Sequence, residues 1–495
     1  MDIGTHPEVD HYDTIGEIKV DARENHITVH GDVLADEARG GHFPAGYFTN
    51  PIFLGTIFAG ALATLSGYFA FNLAANSLSN INPDIGPSEN YLWVPLAYTI
   101  TQTLAFIMIG RLSDIFGRRF FLIVRDFLVL IAVIRGATAQ NIGSVIAANV
   151  FIGIGAAVQF SYFFVLTELV PKKARGLIIG FCYLVAVQGN ASGPVISKAF
   201  LAYTAAQWRW CYYMLHINKT RRQIIRDLDY GAHVIGTIVV GFMTLVAFFF
   251  YEAFVPTGSL VPSYLMKNRE CMMFVVFAGI GGMLFHSLTI LWPSIIAKLY
   301  TAELIYNGWL SMSVGAANAL GTIVGGITFA LIGHVRYQLF TAVTMMTLFI
   351  GAMASTTQYT KSRSVAFTVT GMFFSGFSEG LCNASVSFTV NPEEIGLAFG
   401  VLCGLRVCLG GIATAIYDVI LTNRNAAIVN SLIPQAALKA GVPSSSVPEV
   451  VSAVMAGAAN DVLATIPGMN DTLGAAVHVA SQDAFSGVVK VFSWY

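Results

Sequence analysis

Charge is what this sequence has least of. Asp, Glu, Lys and Arg together supply 11% of its 495 residues, where soluble domains carry about 25%. A chain of this size with so little charge is not built to face water on all sides. Its net charge of −1 also argues against a nucleic-acid partner. Cysteine is sparse: Cys182, Cys211, Cys271, Cys382, Cys403 and Cys408 lie in or beside apolar runs without a CxxC spacing. Neither a zinc site nor a disulfide framework is indicated. No Walker loop, HExxH or complete GxGxxG occurs, so no ATP drive is encoded. GFSEG at residues 376–380 matches the G-x-S-x-G nucleophile elbow in letters only, because it sits inside an apolar helical run rather than at a strand, turn and helix. No enzyme, metal or cofactor is therefore expected.

Apolar residues are abundant, at 55%, and they come in long runs. About 20 consecutive apolar residues cross a bilayer as a helix. Such runs occupy 52–71, 91–109, 120–138, 144–166, 176–200, 232–251, 272–291, 308–331, 339–355, 365–388 and 395–421. The fold class expected is an all-α polytopic membrane protein with about eleven transmembrane helices. Residues 1–50 differ, with ten acids against Lys19, Arg23 and Arg39, five histidines and no apolar run. They read as an acidic, disordered cytoplasmic tail rather than a signal or transit peptide.

Residues 110–119, GRLSDIFGRR, lie between the second and third runs. Arg111, Arg118 and Arg119 against Asp114 mark a short cytoplasmic loop by the positive-inside rule, and Gly110 and Gly117 let the backbone turn. This decapeptide resembles the signature between the second and third helices of the major facilitator superfamily. The resemblance implies a conformational lock built on Gly110, Asp114, Gly117, Arg118 and Arg119. In the fourth run, Gly153, Gly155, Ala156 and Ala157 resemble the exporters' Gly-x-Gly-Ala-Ala sequence, but Asn149 stands where many carry an arginine. In the fifth, Gly189, Gly193 and Pro194 resemble the exporters' glycine and proline signature, which implies close helix packing against the other half; Ser197 and Lys198 replace its final glycines.

With TELVPKKAR and AAQWRWCYYMLHI, the chain most resembles the fungal fourteen-helix drug-proton antiporter branch, which includes trichothecene efflux pumps and siderophore transporters. The resemblance has gaps. The apolar run from Trp208 stops at Ile217, and about ten residues rising 1.5 Å each cannot cross a 30 Å core. Two spans are missing there, and a last one after 422–495. The domains expected are a tail at 1–50, an N-terminal bundle at 51–205, a truncated central segment at 206–231, a C-terminal bundle at 232–421 and an extracellular loop-like segment at 422–495.

Candidate chemistry lies with polar residues inside apolar runs. Glu379, and after it Glu168, are the candidates for proton coupling, because burial in a low-dielectric bundle disfavours the charged form of a carboxyl. Glu379 has an equal alternative, a structural carboxyl paired with Arg406. Gln159, Arg406, His286 and Trp292 are candidate cavity residues. Asn218 and Asn470 sit in N-x-Thr glycosylation sequences. The function expected is proton-coupled efflux of small amphipathic toxins or xenobiotics, by a monomer, in the plasma membrane or alternatively the vacuolar membrane. The alternatives are uptake of siderophore-bound iron, or a truncated, non-transporting membrane protein arising from a pseudogene or an incorrect gene model.

Overall fold

The computed structural model describes residues 50–86, 88–116, 118–161, 166, 175–214, 263–301, 303–390, 395–455, 479–482 and 485–486. Among them every regular element is helical. Ten long helices carry the fold: α1 (Pro51–Asp84), α2 (Trp93–Phe116), α3 (Arg118–Ala137), α4 (Ile142–Phe160), α5 (Arg175–Tyr203), α6 (Arg269–Leu299), α7 (Leu304–Ile332), α8 (Val335–Ala352), α9 (Lys361–Val386) and α10 (Ile395–Ala440). A shorter α11 (Val447–Met455) follows. Eight of the described helices are long and apolar enough to cross a membrane, where only a helix or a closed barrel satisfies the backbone internally. Each apolar run of the sequence apart from 232–251 falls on one of α1–α10. That run, the acidic tail up to residue 49, Glu168, Gly117, Asn218 and Asn470 lie outside the described residues.

Local chemistry sets several helix ends. Asn141 Oδ1 accepts from the Ser144 amide at 2.9 Å to start α4. Asn268 Oδ1 accepts from the amides of Glu270 and Cys271, both at 3.2 Å, to start α6. Such caps satisfy amides that have no partner within the first turn. Between α7 and α8, Gly333 and His334 take φ values of 64° and 48°, and glycine makes the first of these strain-free.

Two of the expected boundaries are corrected. The decapeptide 110–119 is not a ten-residue loop: α2 runs on to Phe116 and α3 starts at Arg118. The sequence between them contains no strong breaker, so both helices continue to the single position 117. The side chains of 110–119 lie outside the described part. The segment beginning at 422 is not loop-like at its start, because α10 continues unbroken to Ala440. Val429, Ile433 and Ala437, four residues apart, share one face and pack with Val442 and Val450 of the following turn and α11. That burial gives the extension a small core of its own.

The helices form two halves, α1–α5 and α6–α10. In the first, α5 packs along α1, and α4 packs against both α2 and α3. In the second, α10 packs along α6, and α9 lies between α7 and α8. Contact between halves is concentrated along two lines, α5 on α7 and α2 on α10. Small residues make the approach close. A Cβ on Gly315 would lie 2.0 Å from the Asn190 carbonyl oxygen across the first line, a carbonyl to which Pro194 cannot donate. Gly189 and Gly193 face the other way, onto α1, where a Cβ would lie 2.7 Å from Leu65 O and 2.7 Å from Asn72 Cβ. Within the second half, Gly321 and Gly325 pack on the backbone of Phe373 and Phe377, while Gly376 and Gly380 pack on that of Asn318 and Thr322. GFSEG is thus one side of a GxxxG helix contact.

Candidate functional site

A cavity of about 40 Å³ lies between the halves and opens on one side. Its wall is mostly aromatic: Tyr68, Phe71, Tyr98, Phe106, Phe160 and Tyr183 from the first half face Phe285 and Phe399 from the second. Five polar residues break that surface, namely Gln102, His286, Glu379, Asn383 and Arg406. Seven helices, α1, α2, α4, α5, α6, α9 and α10, contribute these groups.

The electrostatic centre is an ion pair. Arg406 Nη2 on α10 lies 2.7 Å from Glu379 Oε2 on α9, and the two side chains are 12% and 3% exposed. Tyr183 on α5 donates its hydroxyl to the other carboxylate oxygen, Oε1, at 2.9 Å. Asn383 Nδ2, one turn along α9, donates to the Tyr183 hydroxyl at 3.0 Å. The carboxylate therefore carries a charged donor from its own half and a neutral donor from the opposite half. The Arg406 guanidinium also lies 5.6 Å from the centre of the Phe285 ring, a cation–π contact. Because the pair sits in a water-poor bundle, a change in the charge of either member alters all four contacts.

The candidates from the sequence divide cleanly. Glu379, Arg406 and His286 meet in the cavity wall. Gln159 is buried beside it, donating from Nε2 to Ser66 Oγ at 2.7 Å. Trp292 is fully buried in the main core, its indole N–H 3.3 Å from the Leu310 carbonyl. Asn149, where exporters often have arginine, donates to the Tyr212 hydroxyl at 3.1 Å and to the Val145 carbonyl at 2.9 Å. Sequence reading missed Tyr183, Asn383 and Gln102. Each is a single polar group within an apolar run, and the available signal was its lying on the same helical face as neighbouring aromatic residues. Among the described residues no group of three or more His, Cys, Asp or Glu side chains is placed to hold a metal.

Two helical halves that meet along paired lines around a cavity between them have the build of a carrier of the major facilitator type. The likeness to solved carriers gives the same fold. A bacterial homologue of the human lysosomal transporter Spinster aligns over 90% of this chain and 97% of its own, with a TM-score of 0.57 at 13% identity. The proton:xylose symporter XylE aligns over 89% and 95%, with a TM-score of 0.52 at 13% identity. A family model described as fungal trichothecene efflux pump matches residues 22–226 and 227–494, and the chain belongs to that family. Its curated relatives include the trichothecene efflux pump TRI12 of Fusarium sporotrichioides, 26% identical over 90% of this chain and 83% of the relative. The pump of the same name from Trichoderma arundinaceum is 26% identical over 81% and 76%. The MFS-type transporter prx5 of Penicillium rubens is 25% identical over 77% of each chain. The protein is a multi-pass membrane transporter of small molecules, and its relatives are carriers rather than enzymes.

Proposed function

We propose that this protein is a proton-coupled exporter of small amphipathic molecules, of the kind its trichothecene-pump relatives are named for, acting at the plasma membrane. The single observation that carries the reading is the position of Glu379, a buried carboxylate at the cavity wall that is bonded to both halves at once. A proton on Glu379 cancels its charge, weakens the hold of Arg406 and leaves Tyr183 a poorer acceptor to donate to. The tie between the halves loosens, and the halves are free to rock about the α5–α7 and α2–α10 lines. Losing the proton on the other side restores the tie. In this way one titration is linked to one change of access, which is what coupling requires.

Reconstitution of the full chain into liposomes tests this. With a proton gradient imposed, a trichothecene should move uphill, and a protonophore should abolish that movement. Glu379→Gln should keep downhill exchange of labelled for unlabelled substrate while losing the uphill component. Uphill transport by this variant equal to that of the unaltered chain would sink the assignment. A second reading rests on one observation: the two matched blocks of the family abut at 226 and 227, soon after the apolar run from Trp208 to Ile217, which is too short to cross a bilayer. It describes a chain that inserts and binds but does not transport, for which both uphill transport and exchange should be absent.

A further inference from the structure

The cavity holds more hydrogen-bonding capacity than the protein itself uses. His286 on α6 is 4% exposed, and neither of its ring nitrogens has a hydrogen-bond partner. Gln102 Oε1 on α2 and Asn383 Oδ1 on α9 are also buried without a partner. The amide of Asn383 is oriented by its neighbour. Tyr183 gives its only hydroxyl hydrogen to Glu379, so it must receive one from Asn383 Nδ2, which turns Oδ1 away. Unpaired buried polar groups are rare in folded proteins because each gives up its hydration for nothing. Arg406 Nε in the same wall is a fourth, and it donates. Four such residues in one cavity, from both halves, point to a ligand that pairs them.

The imidazole is also held in a built seat. Its ring stands edge-on to Phe71 at 5.2 Å and to Phe285 at 5.3 Å between centroids. Behind it is Gly410 of α10, where a Cβ would lie 2.4 Å from His286 Cδ2. The ring fits only because that position has no side chain.

We propose that His286, together with Gln102 and Asn383, selects the substrate, and that the substrate is an uncharged, mainly apolar molecule bearing free hydroxyl groups. This deepens the export reading and rests on it for the place of binding. Amide oxygens only accept, so the ligand must donate to Gln102 and Asn383; a hydroxyl does so, while an ether, ester or ketone oxygen does not. An imidazole always carries at least one N–H, and in its neutral form the second nitrogen accepts. It can therefore meet either side of a hydroxyl. The carboxylate of Glu379 is already matched by Arg406, so it offers no spare negative charge to an organic cation.

Equilibrium binding to the purified full chain in lipid nanodiscs tests the inference without any gradient. The probes are a trichothecene with free hydroxyls, its fully O-acetylated ester, and tetraphenylphosphonium. The unaltered chain should bind the free hydroxyl form about tenfold more tightly than the ester, the discrimination expected of one or two net hydrogen bonds. His286→Phe keeps the aromatic packing and should weaken the hydroxyl form about fivefold while changing the ester less than about twofold. His286→Gln, which again offers a donor and an acceptor, should recover part of the loss. Equal losses for both forms would show a structural role only. That result, no preference in the unaltered chain, or tighter binding of the cation would each overturn the proposal. Failure of the export reading appears separately, as selective binding without uphill transport.

Discussion

The pair at the cavity wall makes a quantitative claim about stability. If Arg406→Met removes the guanidinium, Glu379 keeps a buried charge with one neutral donor, Tyr183, at 2.9 Å. Removing one member of such a pair costs about 3–5 kcal/mol, because the remaining charge has lost its compensation. Glu379→Gln should cost less, about 1–3 kcal/mol, since the amide oxygen can still accept from Arg406 while the amide nitrogen, standing where Oε1 was, donates to the Tyr183 hydroxyl. The guanidinium also keeps its contact with Phe285. The double variant removes both charges at nearly constant volume and should lie within about 1 kcal/mol of the unaltered protein, as replaced ion pairs often do. The coupling energy from the cycle should then be at least about 3 kcal/mol. Denaturant unfolding of the full chain in mixed micelles, followed by far-ultraviolet circular dichroism, measures it. If the single losses add to within about 0.5 kcal/mol, the two groups do not interact, and the centre described here does not exist in the membrane. The double variant serves a second purpose: it should be stable, should exchange substrate, and should not concentrate it.

Two further outcomes follow from packing. Gly315→Ala places a methyl group 2.0 Å from the Asn190 carbonyl oxygen, so it should cost about 1–3 kcal/mol by overpacking and slow exchange, whereas Gly180→Ala, with nothing within 4 Å, should leave thermal stability unchanged or slightly raised; the same loss in both would refute the contact line. Asn149→Arg restores the residue common in exporters but must displace the Tyr212 hydroxyl from a site where Asn149 is 2% exposed, so it should lower the unfolding midpoint and bring no gain in uphill transport, measured in the same liposomes.

Much of the fold was legible because a bilayer simplifies the code. Runs of about 20 apolar residues admit one structure, and α1 to α10 fall where those runs lie. Helix ends were less so: α2 continues through a polar stretch to Phe116, and α10 runs on past Pro434 to Ala440. In α10 the continuation is stabilised by burial of Val429 and Ile433 in a cluster that is invisible before α11 is placed. At the site, Glu379 and Arg406 could be named because a charge inside an apolar run is conspicuous. Their pairing could be posed but not decided, because it depends on how α9 and α10 face one another. Tyr183, Gln102 and Asn383 passed unnoticed, since uncharged polar residues are ordinary in membrane helices and only the rotation of α5, α2 and α9 turns them inward. Trp292 shows the reverse: an aromatic with a polar edge suited a cavity wall, yet its N–H meets the carbonyl of Leu310 and the ring is wholly used in packing.

The length of α10 gives the molecule a built-in pointer. Its 46 residues extend about 69 Å at 1.5 Å per residue, more than twice a hydrocarbon core of about 30 Å. At its root the helix carries Arg406 and bears on α2 of the opposite half. Its far end is braced by α11. A rigid-body rotation of about 15°, the size other two-state proteins use, would swing a tip about 30 Å from its pivot through roughly 8 Å. Fluorophores on Ser431 and on the α1–α2 turn at Asn90, both exposed, would turn that swing into a distance trace. The rocking of the two halves could then be timed, one molecule at a time, without touching the cavity that the motion serves.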